Sequence, residues 1–256
     1  MKKVFLVPLF IALLTSCSIT EKIVGIGYSV RAKSCISQSM ELVDSTGTKT
    51  VILIPMIHIG AAKDYDKIGI YLDGLRSRGF TVFYEGVNCP KASEVTPETD
   101  TIIRKARRIV GIDITGGYDK IAKKRNKNWI EQDYDLMHID DNDICPDITL
   151  VEMVDKYEEK YGPVILDSKD FKYPLGSVDY KRKRLSGASY VIHSIRDKKL
   201  LNAILDDGYQ NVVVVYGSNH CETLKGRLIF SKGFRPRYDD LWYAHRLPKY
   251  DWQKSE

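Results

Sequence analysis

Two histidines and a glutamate each stand just past an apolar run. His58 follows Val51-Ile52-Leu53-Ile54, Glu85 follows Thr81-Val82-Phe83-Tyr84, and His220 follows Val212-Val213-Val214-Val215. If these runs are parallel strands of one sheet, the three groups share its carboxyl edge, the usual place for a site in open α/β folds. Two imidazole nitrogens and a carboxylate meeting there suit a divalent cation: zinc, manganese, cobalt or iron. Such an ion acidifies a bound water and polarises a carbonyl. Glu85 could instead work as a general base beside the ion. Taken singly, His220 reads as a turn histidine bonded to backbone, and only the pairing with His58 and Glu85 raises the catalytic reading. Asn219, beside His220, is a candidate supporting residue. So is Asp140, in the acidic stretch 132–143 that also holds His138; that stretch reads first as a polar loop. There is no H-E-x-x-H and no G-x-S-x-G. Cys221 is a poor partner for His220, because adjacent side chains diverge.

The elements that must position these groups follow from the hydrophobic pattern. Ile36 to Val43 alternates, the cluster Asp44-Ser45-Thr46-Gly47-Thr48 turns, and Lys49 to Ile54 returns, which predicts a β-hairpin. Four consecutive valines at 212–215 cannot alternate faces, so that strand is buried on both sides. Gly217 then breaks it, and a short helix is expected over Thr223 to Ser231. Asp64 to Arg78 carries a helical stripe (Ile68, Tyr71, Leu72, Leu75) ending at Gly79. With Thr81–Tyr84 next, this is a strand–helix–strand unit, which implies a parallel, right-handed crossover. From about 90 to 176 the texture is polar, with helices expected at Pro97 to Val110 and at Asp147 to Tyr161, Asp147 being the expected N-cap. A long helix is expected within Val178 to Asp207. Arg196 sits near its apolar side, where the plain reading is a snorkelling arginine. Phe234 to Tyr243 is a candidate edge strand. The pattern predicts an α/β fold: a central, mostly parallel sheet, flanking helices and a mainly helical insertion.

The N-terminus carries a different message. Lys2-Lys3, an apolar run to Leu14, then Leu14-Thr15-Ser16-Cys17 form a basic region, a short hydrophobic region and small residues before a cysteine. The run is short and holds Pro8, so it describes an export signal and not a membrane span. It resembles the lipobox of bacterial lipoproteins, in which the cysteine is acylated. Residues 1–17 are then a signal ending at the lipid-bearing Cys17, 18–35 a tether, and 36–256 a single domain. Loss of Lys2 and Lys3 takes the net charge from +5 to +3 (5 − 2). That mild, scattered charge excludes a dedicated nucleic-acid binder. Four cysteines remain after Cys17: Cys35, Cys89, Cys145 and Cys221. Export permits one or two disulfides, but the long spacings do not pair them.

The order of features resembles the TraB/Tiki family, which includes pheromone-shutdown, GumN-like and Tiki proteins. Those features are a strand ending in a histidine motif, a strand ending in Glu85-Gly86, a helical middle, a helix bearing Arg196-Asp197, and a strand running into Gly217-Ser218-Asn219-His220. The match runs from about Lys49 to Tyr238 and is sharpest at 51–86 and 190–235. Pro55 stands where the family usually has glycine, and Asp197 where it usually has asparagine. The resemblance implies an α/β fold shared with erythromycin-esterase-like and ChaN-like proteins. It also implies a metal-dependent peptidase site built from His58, Glu85 and His220, with Arg196 supporting it or orienting substrate.

The expected function is therefore a lipid-anchored, metal-dependent hydrolase of peptide bonds in a bacterial cell envelope. Ser18 after the lipid-bearing cysteine points to the outer membrane. Two readings of another class stand beside it. One is a ChaN-like haem carrier, with a histidine, Tyr84 or Tyr216 on the iron. The other is a module that sequesters peptides without cleaving them.

Overall fold

The computed structural model describes residues 35–87, 95–115 and 118–237. The export signal, Cys17, all but the last residue of the tether, Cys89, and the part of the candidate edge strand beyond 237 lie outside the described residues.

The hairpin forms as its alternation requires. Strand β1 (Met40–Val43) pairs antiparallel with β2 (Thr50–Met56), Val43 lying opposite Thr50. Gly47 closes the turn at φ 76°, its N–H donating to the Asp44 carbonyl; glycine takes this left-handed conformation without steric cost. β2 is followed by β3 (Ile59–Ala61), α1 (Ala62–Arg76) and β4 (Thr81–Tyr84). Tyr65, Ile68, Leu72 and Leu75 form the buried stripe of α1, at the three- and four-residue spacing of one helix face. Gly69, on the same side, lets residues 132–143 lie directly on the helix: a Cβ there would meet the Leu136 carbonyl oxygen at 2.6 Å.

The chain continues through α2 (Pro97–Val110), α3 (Asp119–Arg125), β5 (Trp129–Glu131), α4 (Leu150–Tyr161) and α5 (Ser168–Lys172). It returns to the sheet through α6 (Ile195–Leu205), β6 (Asn211–Gly217), α7 (Ser218–Gly226) and β7 (Arg235–Pro236). The five-stranded sheet has the order β4-β6-β2-β1-β7. Its parallel ladders, β2 with β6 and β4 with β6, run over seven and four residue pairs; the antiparallel ones, β1 with β2 and β1 with β7, over four and two. The fold is α/β, and the sheet is mostly parallel with an antiparallel edge.

β6 shows why the valine run could not alternate. Val212, Val214 and Tyr216 pack into one core with Leu200, Ile204 and Leu224, while Val213 and Val215 pack into another with Ile68 and Leu72. Each fully buried valine contributes about 1.5–3 kcal/mol of burial. Both faces are covered by helices, so every strand residue between 212 and 216 has to be apolar.

The middle of the chain has its own apolar centre, including Ile103, Ile109, Val154 and Val191. It is not wholly helical. β5 pairs antiparallel with β3 in a separate two-stranded sheet, Ile59 opposite Glu131. Three residues per strand are too few for a period-two pattern, so neither strand showed in the sequence. Two other boundaries differ from expectation. α4 begins at Leu150, capped by Thr149 and Glu152 in a reciprocal box, and Asp147 is not its cap. α7 begins at Ser218, five residues before Thr223, and runs on through a wide turn over Arg227–Ser231. A second wide turn, Tyr190–Ser194, precedes α6, in which the Ile195 N–H reaches back to the Tyr190 carbonyl. Among the described residues no helix is long and apolar enough to cross a membrane. Cys145 and Cys221 carry free thiols.

Candidate functional site

The carboxyl edge of the sheet carries a buried polar cluster. Glu85, one residue past β4, is 6% exposed. Its Oε2 accepts the Gly217 N–H at 2.6 Å, and its Oε1 accepts Nη2 of Arg196 at 2.7 Å. The carboxylate thus lies at the N-terminus of α7, where the helix dipole favours negative charge. Burial works to raise the Glu85 pKa. The Arg196 guanidinium, with smaller contributions from His58, His220 and the Gly217 N–H, outweighs burial and leaves it below the ordinary glutamate value.

His220 lies in the first turn of α7, because the helix starts directly at the end of β6. Its Nε2 is 3.6 Å from Glu85 Oε1, and its Nδ1 is 2.5 Å from Asp197 Oδ1. His58 lies between β2 and β3, its Nε2 4.0 Å from Glu85 Oε2. The insertion holds His58 twice: the Gln132 N–H donates to its carbonyl at 2.8 Å, and Gln132 Oε1 stands 3.0 Å from its Nδ1. Each imidazole therefore has an oxygen acceptor at Nδ1. A ring proton held at Nδ1 by such an acceptor leaves Nε2 as the nitrogen for a ligand, the arrangement typical of metal-binding histidines.

Arg196 is not a snorkelling arginine. It is 8% exposed, and its Nε and Nη2 donate to the two oxygens of Asp147 at 2.8 and 2.6 Å. Desolvation lowers its pKa, but Asp147 and then Glu85 overcome this and raise it. Asp147 is thus the residue that the sequence reading assigned elsewhere. A helix cap needs only a partly exposed oxygen, whereas this carboxylate is buried against a guanidinium in a bidentate pair. Its N-cap position in the sequence was indistinguishable from this use.

Gly217 is required by proximity. A Cβ at this position would lie 3.0 Å from Glu85 Oε2 and 3.6 Å from His58 Nε2. Glu85 cannot retreat, because Arg196 and the Gly217 N–H fix it. Gly217→Ala is expected to cost about 1–3 kcal/mol, read as a lower urea midpoint at unchanged slope. An unchanged midpoint would mean that the carboxylate is free to move.

The cluster forms the floor of a cleft of about 710 Å³. Ile112, Met153 and Ile192 are among its apolar walls, and Arg125 and Arg184 also line it. Tyr118 stacks on His58 with ring centroids 5.6 Å apart and planes at 11°. His193, which the sequence did not single out, also lines the cleft. Its ring lies 5.2 Å from that of His220, and burial, followed by His220, lowers its pKa.

The remaining expected site residues fall in different places. Asn219 is at the cleft wall, exposed. Asp140 is not at the cleft. It caps the turn to Asn142, beside the Asp143 that binds Arg76, and His138 pairs with Asp73 on α1. Tyr84 and Tyr216, the tyrosines of the haem reading, do not line the cleft. Tyr216 is 1% exposed, and burial pushes its hydroxyl far above the ordinary value. Cys221 is buried in the core, and burial raises its thiol too.

Whether these residues suit a cation turns on their chemistry and spacing. Among the described residues no set of three His, Cys, Asp or Glu side chains stands at ligating separation. The guanidinium lies among them: Nη2 donates to Glu85 Oε1, and Nη1 lies 3.3 Å from His220 Nε2. The residue types suit a cation, while their spacing is wider than a bound ion sets: ligands of a tetrahedral zinc with bonds of about 2.0–2.1 Å lie roughly 3.4 Å apart, against 3.6 and 4.0 Å here. Both histidines have oxygen acceptors at Nδ1.

Comparison of the chain with models of known protein families, with curated proteins and with solved structures finds no match.

Proposed function

We propose that this chain is a metal-dependent hydrolase of peptide bonds, of the kind the TraB/Tiki resemblance implies, held at an envelope membrane by lipid on Cys17. The observation that carries the reading is that two histidine Nε2 atoms stand 3.6 and 4.0 Å from the oxygens of one buried carboxylate, Glu85, at the floor of the cleft. Imidazole nitrogen and carboxylate oxygen are ligands for a divalent cation.

His58, Glu85 and His220 would hold zinc, manganese or cobalt, and the ion would supply an acidified water and polarise the scissile carbonyl. The chain's own residues do the rest. Asp197 and Gln132 fix the two imidazole rings. Arg196 and the Gly217 N–H keep Glu85 ionised and aimed. The apolar walls take up the substrate's side chains and limit water around the reacting amide.

The test is metal content by mass spectrometry on residues 18–256, followed by a digest of casein peptides. Near-stoichiometric metal that falls at least about tenfold in His220→Ala, with peptide cleavage by the wild type, is the expected result. No metal in either protein after reconstitution would end the metal mechanism. Anchoring is tested separately. Radiolabelled palmitate should enter the wild type and be absent from Cys17→Ser; equal labelling would remove the lipid anchor.

A further inference from the structure

A hydrolase of this kind needs a hydrogen-bond donor for the carbonyl oxygen as it gains charge. Most donors around the cleft floor are already engaged. Arg196 spends its Nε and Nη2 on Asp147 and Glu85, and its Nη1 faces the Ile192 carbonyl and His220. The Gly217 N–H is on Glu85, and the Tyr134 hydroxyl donates to the Glu85 carbonyl. Arg184 donates its Nε to the Val110 carbonyl. His58 and His220 have acceptors at Nδ1.

Gln132 Nε2, also at the cleft, is buried without a partner, but on the amide that meets His58; His193 is the unengaged donor beside His220. It is half-buried, lines the cleft beside His220, and its ring makes no hydrogen bond among the described residues. Its backbone is also unusual, for it sits in the wide turn Tyr190–Ser194, where the Ile195 N–H skips one residue to reach the Tyr190 carbonyl. Wide turns of this sort re-aim side chains and recur at functional sites. The turn places His193 on the cleft side of the helix that also carries Arg196 and Asp197.

The geometry points to His193 as a further substrate-contacting residue of this site, donating a ring N–H to the carbonyl oxygen of the scissile amide. The inference rests on the hydrolase reading and specifies its oxyanion partner. It assigns His193 to substrate and not to the cation, which His58, Glu85 and His220 hold.

His193→Phe keeps a ring against His220 and removes the donor; His193→Asn restores a donor without the ring. Both are compared with the wild type on the most rapidly cleaved peptide of a casein digest, with metal content and melting temperature measured in parallel. The expected result is a loss of about 10²–10³-fold in kcat for His193→Phe, with unchanged metal content and fold, and partial recovery in His193→Asn. A kcat within about threefold of wild type in His193→Phe overturns the inference and leaves the hydrolase standing. Loss of metal together with activity overturns it as well, since the ring would then serve His220. A folded, metal-loaded wild type that cleaves no peptide of the digest overturns both readings.

Discussion

Arg196→Met should lower the unfolding free energy by about 3–5 kcal/mol, because it removes one partner from a buried ionic cluster and leaves the others unpaired. Methionine matches the length of the arginine stem, so packing changes little and the loss reports charge. Asp147 would lose both guanidinium donors, at 2.8 and 2.6 Å, keeping the Ile148 N–H, and Glu85 would lose its 2.7 Å partner. Neither carboxylate can turn to water, since Asp147 and Glu85 are each 6% exposed. The measurement is urea unfolding beside a control, Lys199→Ala. Lys199 pairs with Glu152 on the surface, and breaking that pair should cost less than about 1 kcal/mol. If Arg196→Met also costs under about 1 kcal/mol, the guanidinium is a surface group and the cluster described above is wrong.

On the proposed metal-dependent reading, Asp197→Ala should weaken metal affinity or peptide cleavage by about 10–100-fold, the usual effect of losing an outer partner of a metal-binding histidine. Asp197 Oδ1 is 2.5 Å from His220 Nδ1 and the residue is 2% exposed. Removing it frees the imidazole to rotate and to carry its proton on Nε2, the nitrogen needed for the ion. Asp197→Asn retains an oxygen that can accept the same Nδ1–H and should lose distinctly less. An aspartate and an asparagine can therefore do the same positional work here, and an ionised aspartate adds charge. Zinc affinity by competition with a chelator separates the cases. An alanine variant with wild-type affinity would show that Asp197 serves only the packing of α6.

The legibility of the site varied by residue. His58, Glu85 and His220 were visible because each ends an apolar run, and parallel strands place their ends at one edge. Arg196 was visible only through the family resemblance, since its position near an apolar helix face suited a snorkelling side chain equally well. Asp147 and Gln132 were not visible as site residues. Both come from the insertion, far from the strands in sequence, and short polar residues before helices or in loops have many ordinary uses. His193 lay inside a helical pattern, and a wide turn leaves no mark on hydrophobic spacing.

The sequence alone determined the α/β architecture, through unbroken apolar runs that demand two covered faces and a helix period between them. It also determined which strand ends carry polar groups. Tertiary structure alone decided the strand order, with β6 between β4 and β2, and thereby set Gly217 against Glu85. It alone decided the pairing of β3 with β5 that brings Gln132 to His58, and the burial of Asp147 on Arg196. The physical reason is the range of the interactions. Hydrophobic period and strand ends are local and repeat along the chain. Charge pairing at 2.6–2.8 Å between residues 49 positions apart depends on where separate elements come to rest, and no local pattern encodes that.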